Sequence, residues 1–134
     1  MSKKIRITSD KAKEPKAKMW SNCLAVGNQV FISGMTAHDL AGHVDGAKDV
    51  YSQSCRTFDK IRGLIEAAGG KMDDIVKMTI FVTDIREREE VWRARAEYFT
   101  DDFPCCSLIG INQLAAPDVK VEIEAVAVLG ASGA

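Results

Sequence analysis

The sequence predicts an α+β fold: a mixed sheet with two helices packed on one of its faces. Three observations carry this prediction. Val50, Cys55, Phe58, Ile61, Leu64, Ile65 and Ala68 recur at three- and four-residue steps, the apolar stripe of one helix. Residues 75–82 and 119–128 instead alternate with a period of two, as strands do. Read along the whole chain, the elements follow the order β, β, β, α, β, α, β, β, and two helices set among strands form a two-layer sandwich.

The elements justify themselves in turn. Lys3 to Thr8 alternates charged and apolar residues, a half-buried strand pattern. Residues 10–18 are polar and contain Pro15, so a loop is expected. The basic residues Lys3, Lys4, Arg6, Lys11, Lys13, Lys16 and Lys18 make this segment a solvated arm, with a local basic face as the alternative. Cys23 to Val26 and Val30 to Ser33 flank Gly27 and Asn28, a hairpin signal. Residues 39–45 form an exposed loop, and the helix beginning near Val50 stops at Gly69 and Gly70.

Val76, Met78, Ile80 and Val82 define one face of the next strand. Asp84 is placed to cap a second helix over 86–100, rich in paired charges. Phe103 and Pro104 end a linker, and strands over 105–111 and 119–128 follow. In the last strand Val121, Ile123, Ala125 and Ala127 form an apolar face, while Glu122, Glu124, Val126 and Val128 form the other. A carboxylate-bearing sheet face needs solvent, a site or a partner subunit, and closed cyclic assembly is the usual cover. The chain is read as one domain over 1–134, with a frayed tail over 130–134.

Composition narrows the function classes. The 134 residues are 46% apolar and 28% charged, an ordinary globular balance. With 18 Lys+Arg against 19 Asp+Glu the net charge is −1, which argues against nucleic acid or an acidic membrane surface as partner. No apolar run reaches the ~20 residues of a membrane span. No hydrophobic segment follows the first residues, so no signal peptide is read and a cytoplasmic setting is expected. Cys23, Cys55, Cys105 and Cys106 show no CxxC spacing, are expected to be reduced, and give no support for a zinc site.

Three blocks then resemble a known family. Val30 to Gly34 looks like an early strand ending in Ser-Gly; residues 69–84 resemble a helix exit and central strand. Phe103-Pro104-Cys105-Cys106-Ser107, followed by residues 118–128, matches a C-terminal signature. Together, in order and at the right spacing from about residue 20 to 128, they resemble the RidA (YjgF, endoribonuclease L-PSP-like) family. The resemblance implies a chorismate-mutase-like sandwich and a homotrimer whose sheets line a central barrel, with clefts between subunits. It further implies cofactor-free and metal-free hydrolysis of reactive enamines and imines. An arginine would grip the substrate carboxylate, and a glutamate on the last strand would position water.

Carried over residue by residue, Glu122 falls on that glutamate, and Ser33 and Gly34 fall on the ligand-facing Ser-Gly. Trp20 falls where many members close the cleft with tyrosine, and Trp92 near a position often held by asparagine. Cys106 falls on the arginine. A thiol cannot reproduce an arginine's bidentate charge-assisted bonds, and losing such a pair costs ~2–5 kcal/mol. Arg93 or Arg95 would have to substitute, or else serve as surface partners of Glu89, Glu90 or Glu97. Cys106 as a nucleophile would need an activating base, with His38 and His43 the available histidines. Their alternative is an exposed loop, and a His38, Asp39, His43, Asp45 metal set has no recognised spacing. Cys105 is expected in the core. Glu122 either activates water or is satisfied at an interface by Lys120 or Lys77.

Trp20 and Trp92 predict a pocket with more aromatic surface than a small keto-acid site needs. The expectation is a deaminase acting on an imine or enamine larger or less anionic than 2-aminoacrylate, of the 2-aminomuconate type. The alternative is a non-catalytic trimer binding a small metabolite or a partner protein in the same clefts.

Overall fold

A computed structural model describes residues 2–133. Met1 and Ala134, the outer ends of the expected arm and tail, lie outside the described residues. Six strands form one mixed sheet: β1 (Lys4–Arg6), β2 (Cys23–Val26), β3 (Gln29–Met35), β4 (Ile75–Val82), β5 (Cys105–Gly110) and β6 (Val121–Val128). Their spatial order is β1-β2-β3-β6-β4-β5, with β4 and β5 parallel and every other pair antiparallel. Helices α1 (Val50–Ala67) and α2 (Arg88–Arg95) complete the α+β architecture.

The core lies between α1 and one sheet face. Phe58, Ile61, Leu64 and Ile65 of α1 are fully buried, as are Val30, Ile80, Val121 and Ile123 of the sheet. Asp49 caps α1 by accepting from the Ser52 amide at 2.8 Å. At the other end, the amides of Gly69 and Gly70 bond the Glu66 and Ile65 carbonyls. Buried Gln53 ties α1 to the start of β6: its amide group donates to the Asp118 carbonyl and accepts from the Lys120 amide, both at 2.9 Å. That pair fixes the strand carrying Glu122 against the helix.

The hairpin, the first helix and the last strand follow the expectations, while other elements differ for identifiable reasons. β1 is shorter than 3–8 and wholly exposed, because it sits at the sheet edge with nothing packed over it. A register shift between Ile75 and Lys77 places Val76 on the exposed side, while Ile75, Met78, Ile80 and Val82 are buried. The second helix is an eight-residue α-helix preceded by a 3-10 turn over Ile85–Glu87, which Asp84 caps through the Arg86 amide. It stops short of 100 because the following aromatics turn back onto α1. Tyr98 and Phe99 sit 5.0 and 6.0 Å from the Phe58 ring, and the Tyr98 hydroxyl donates to Asp59.

Both chain ends are tied down more firmly than expected. In the arm, Ser9 and Lys11 press against α1 at Gly63, and Ala12 enters the core. In the tail, the Ser132 amide donates to the buried carboxylate of Asp74 at 2.8 Å, and the Lys71 amide donates to the same group at 2.9 Å. Burial alone would raise the Asp74 pKa, but these backbone bonds hold it below the ordinary carboxylate value.

Candidate functional site

The central feature is a kink in β3. Its pairing with β6 is regular to Ile32 and resumes at Met35, so Ser33 and Gly34 fall within a register shift. The Glu122 side chain of β6 packs into the space this creates. A Cβ at residue 34 would lie 2.6 Å from the Glu122 carboxylate oxygen, so any larger residue there would push the carboxylate out of this position. Partial burial raises the Glu122 pKa, and neighbouring Glu124 raises it further. Among the described residues neither Lys77 nor Lys120 forms an ion pair with it. Ser33 donates its hydroxyl to the Ser21 carbonyl at 2.6 Å and its amide to the Asn22 carbonyl at 2.9 Å. The serine thus anchors the kink to the segment carrying Trp20.

Trp20 is 54% exposed, and its indole nitrogen donates to the Asn22 side chain at 3.1 Å. Asn22 is buried and also donates to the Lys13 carbonyl and to Glu14. Sequence reasoning missed Asn22, although a polar residue at the mouth of an apolar strand is a signal that it holds something. Trp20 and Gly34 share a cavity of about 490 Å³ with arm residues, the loop at His38–Asp39, and Lys60 of α1. Lys60 was also missed. Its signal is spacing, since it falls in line with buried Gln53, Thr57 and Leu64 on α1.

Cys106 and Trp92 stand apart from this group. Cross-strand pairing sets Glu122 opposite Phe81, Phe81 opposite Ile109, and Cys106 opposite Met78. Cys106 is therefore three residues along β5 from the Glu122 row, about 10 Å at ~3.3 Å per residue, and on the other face. It packs against the core, whereas Cys105 is exposed, the reverse of the expected placement for Cys105. The reason is the parallel register, which puts Cys105 level with exposed Lys77 and Cys106 level with buried Met78. The Cys106 thiol makes one weak contact, 3.8 Å to the Ser107 carbonyl, and neither histidine bonds to it among the described residues.

Trp92 is 42% exposed on α2, with the Arg88 guanidinium 5.9 Å from its ring centroid. Arg93 is engaged elsewhere, on Glu90 at 2.6 Å and over the Tyr51 ring at 3.7 Å. Arg95 is half-buried with an unpartnered Nε, and it is not paired with an acid among the described residues. His38 lies 3.4 Å from Asp118, and Asp39 accepts from the Ala41 and His43 amides. Among the described residues, no three His, Cys, Asp or Glu side chains are grouped to hold a metal. No helix among them is long and apolar enough to cross a membrane.

A kinked strand cradling a half-buried carboxylate, on an α+β sheet with one open face, makes a candidate small-molecule site. The model of the Endoribonuclease L-PSP family matches residues 11–129. The 2-iminobutanoate/2-iminopropanoate deaminase of Escherichia coli K12 is 36% identical over 107 residues, 77% of this chain and 81% of that protein. A Pseudomonas aeruginosa protein of unknown function superposes with a TM-score of 0.86 at 31% identity, covering 96% of this chain and 94% of that one. TdcF of Escherichia coli, solved with bound serine, gives 0.84 at 27% identity, covering 92% and 98%. The chain belongs to the Endoribonuclease L-PSP family, the RidA group.

Proposed function

We propose that the chain is a cofactor-free deaminase hydrolysing a reactive imine or enamine larger than 2-aminoacrylate. The observation that carries this reading is the Glu122 carboxylate set against the Gly34 kink. A carboxylate with a raised pKa is a better base for water near neutral pH than an exposed one. In the proposed reaction Glu122 takes a proton from water as its oxygen attacks the C=N carbon, and the C=N electron pair moves onto nitrogen. Glu122 returns that proton to the nitrogen to give the carbinolamine; the hydroxyl proton then passes through Glu122 to the nitrogen as the C–N bond breaks, the C=O bond forms and ammonia departs. One imine and one water yield one ketone and one ammonia. Ser33 and Gly34 orient the ligand, Trp20 covers it, and Cys106 and Trp92 line the cleft from a neighbouring subunit.

Two further findings support this reading: relatives named as imine deaminases, and a structural neighbour with an amino acid bound. The proposal includes a homotrimer in the cytoplasm, with open sheet faces turned toward one another. Freshly generated 2-aminoacrylate and 2-aminomuconate are the substrates to try, with ammonia as readout. We expect release from at least one, reduced roughly 10²–10⁴-fold in Glu122→Gln. Equal rates for wild type and Glu122→Gln on both compounds would leave only the binding-protein reading.

A further inference from the structure

Charge in the cavity beside Trp20 is unevenly committed. Its acids are occupied: Glu14 accepts from Arg6 at 2.9 Å and from Asn22, and Asp39 accepts from two loop amides. Its cations are not. Lys13, Lys16 and Lys60 line the cavity without an ion pair among the described residues. Lys13 and Lys16 belong to an arm at the surface, but Lys60 rises from a helix stripe whose neighbours Gln53, Thr57 and Leu64 are fully buried.

One turn earlier, Arg56 spends its guanidinium on the Ala37 and Asp45 carbonyls, which shapes the loop over the cavity and leaves Lys60 alone. Burial pushes the Lys60 pKa down to about 8 and the nearby Arg56 charge adds to this, while Asp39, not in ion-pair contact, offsets only part of it. An ammonium in such a setting is stabilised by an arriving anion more than one in open water is.

We infer that Lys60 is the cation that receives the carboxylate of an organic acid lodged in this cavity, with the Trp20 indole against its apolar body. The inference rests on the deaminase reading for the identity of the acid. It also answers the loss of an arginine at Cys106, because the charge is supplied from α1 rather than from β5. A volume of about 490 Å³ has room for more than a four-carbon acid.

The test is calorimetric binding of 2-oxobutanoate and phenylpyruvate to the full chain at pH 7. We expect Lys60→Met to weaken both roughly 10- to 100-fold, Lys60→Arg to retain most of the affinity, and Lys48→Met, exposed and outside the cavity, to bind like wild type. Phenylpyruvate should bind the tighter of the two, and Trp20→Ala should remove that advantage. Raising the pH from 7 to 9 should weaken binding to wild type more than to Lys60→Arg. Arg56 on α1, Lys13, Glu14 and Lys16 on the arm, and His38 and Asp39 on the loop face the same space and are common to both proteins. Equal affinity in wild type and Lys60→Met, or no binding of either acid by wild type, overturns the inference. If Lys60→Met fails to fold, the pH comparison decides. Lys60-dependent binding without ammonia release would sink the deaminase reading and leave the site standing. Ammonia release with KM unchanged in Lys60→Met would do the reverse.

Discussion

On one face of the sheet, Met78, Ile80, Val82, Ile123 and Ala125 are buried together with Phe58, Ile61 and Leu64 of the helix above them. On the other, Phe31 and Ile109 stand 41% and 43% exposed beside Glu124 and Lys77. The chain closes the first face by itself and leaves the second for something else. Glu122 belongs to the second face and Cys106 to the first, so the residues matched to the family's site divide between them. In the proposed homotrimer, a cleft using both sets would join the open face of one subunit to the β5–α2 edge of another. The Glu122 cradle is built by β3 and β6 and Cys106 stands on β5, so a change at Cys106 leaves the cradle untouched.

The comparison can be broken by mutation on either side. The largest effect on folding is expected from Phe58→Ala, about 3–5 kcal/mol, read by denaturant unfolding and little changed by protein concentration if the covered face closes within one chain. Phe31→Asp should leave the protomer folded but shift it toward smaller species by sedimentation, with a Tm that comes to depend on concentration. An unchanged oligomer in Phe31→Asp would refute the assignment of the open face to subunit contact.

The smallest effect is pH-dependent. Because the Glu122 pKa is raised on folding, its ionised form is penalised in the native state. Stability from this group is therefore highest at low pH, where both states are protonated, and falls as pH rises through the folded pKa. Glu122→Gln should raise Tm modestly at pH 7 and not at pH 3, measured by differential scanning calorimetry.

The fold was legible where one periodicity ran uninterrupted. Val50 to Ala68 and Val121 to Val128 show a single burial pattern throughout, so spacing alone located them. It became illegible where tertiary packing overrode the local pattern. The shift at Ile75 reversed Val76, and the return of Tyr98 and Phe99 onto α1 shortened the second helix. The candidate site divides in the same way. Glu122, Ser33 and Gly34 were visible as a motif, but their packing depends on a kink that no spacing announces. Lys60 and Asn22 were missed because each acts across the fold, on elements far away in sequence. Cys105 and Cys106 exchanged expected environments because parallel register, which is set by the β4–β5 crossover, decides which one faces inward.

The Asp74 carboxylate carries one more consequence, for anyone modifying the chain's end. It joins the turn before β4 to the segment after β6, adjacent strands whose ends it clasps like a buckle. An affinity tag spliced directly after Val128 would remove Ser132 and leave one oxygen of a buried charge without its donor. A tag placed beyond Gly133 would spare it. In acid the same clasp opens by protonation, so the terminal segment should be the first place where a protease gains a foothold as pH falls.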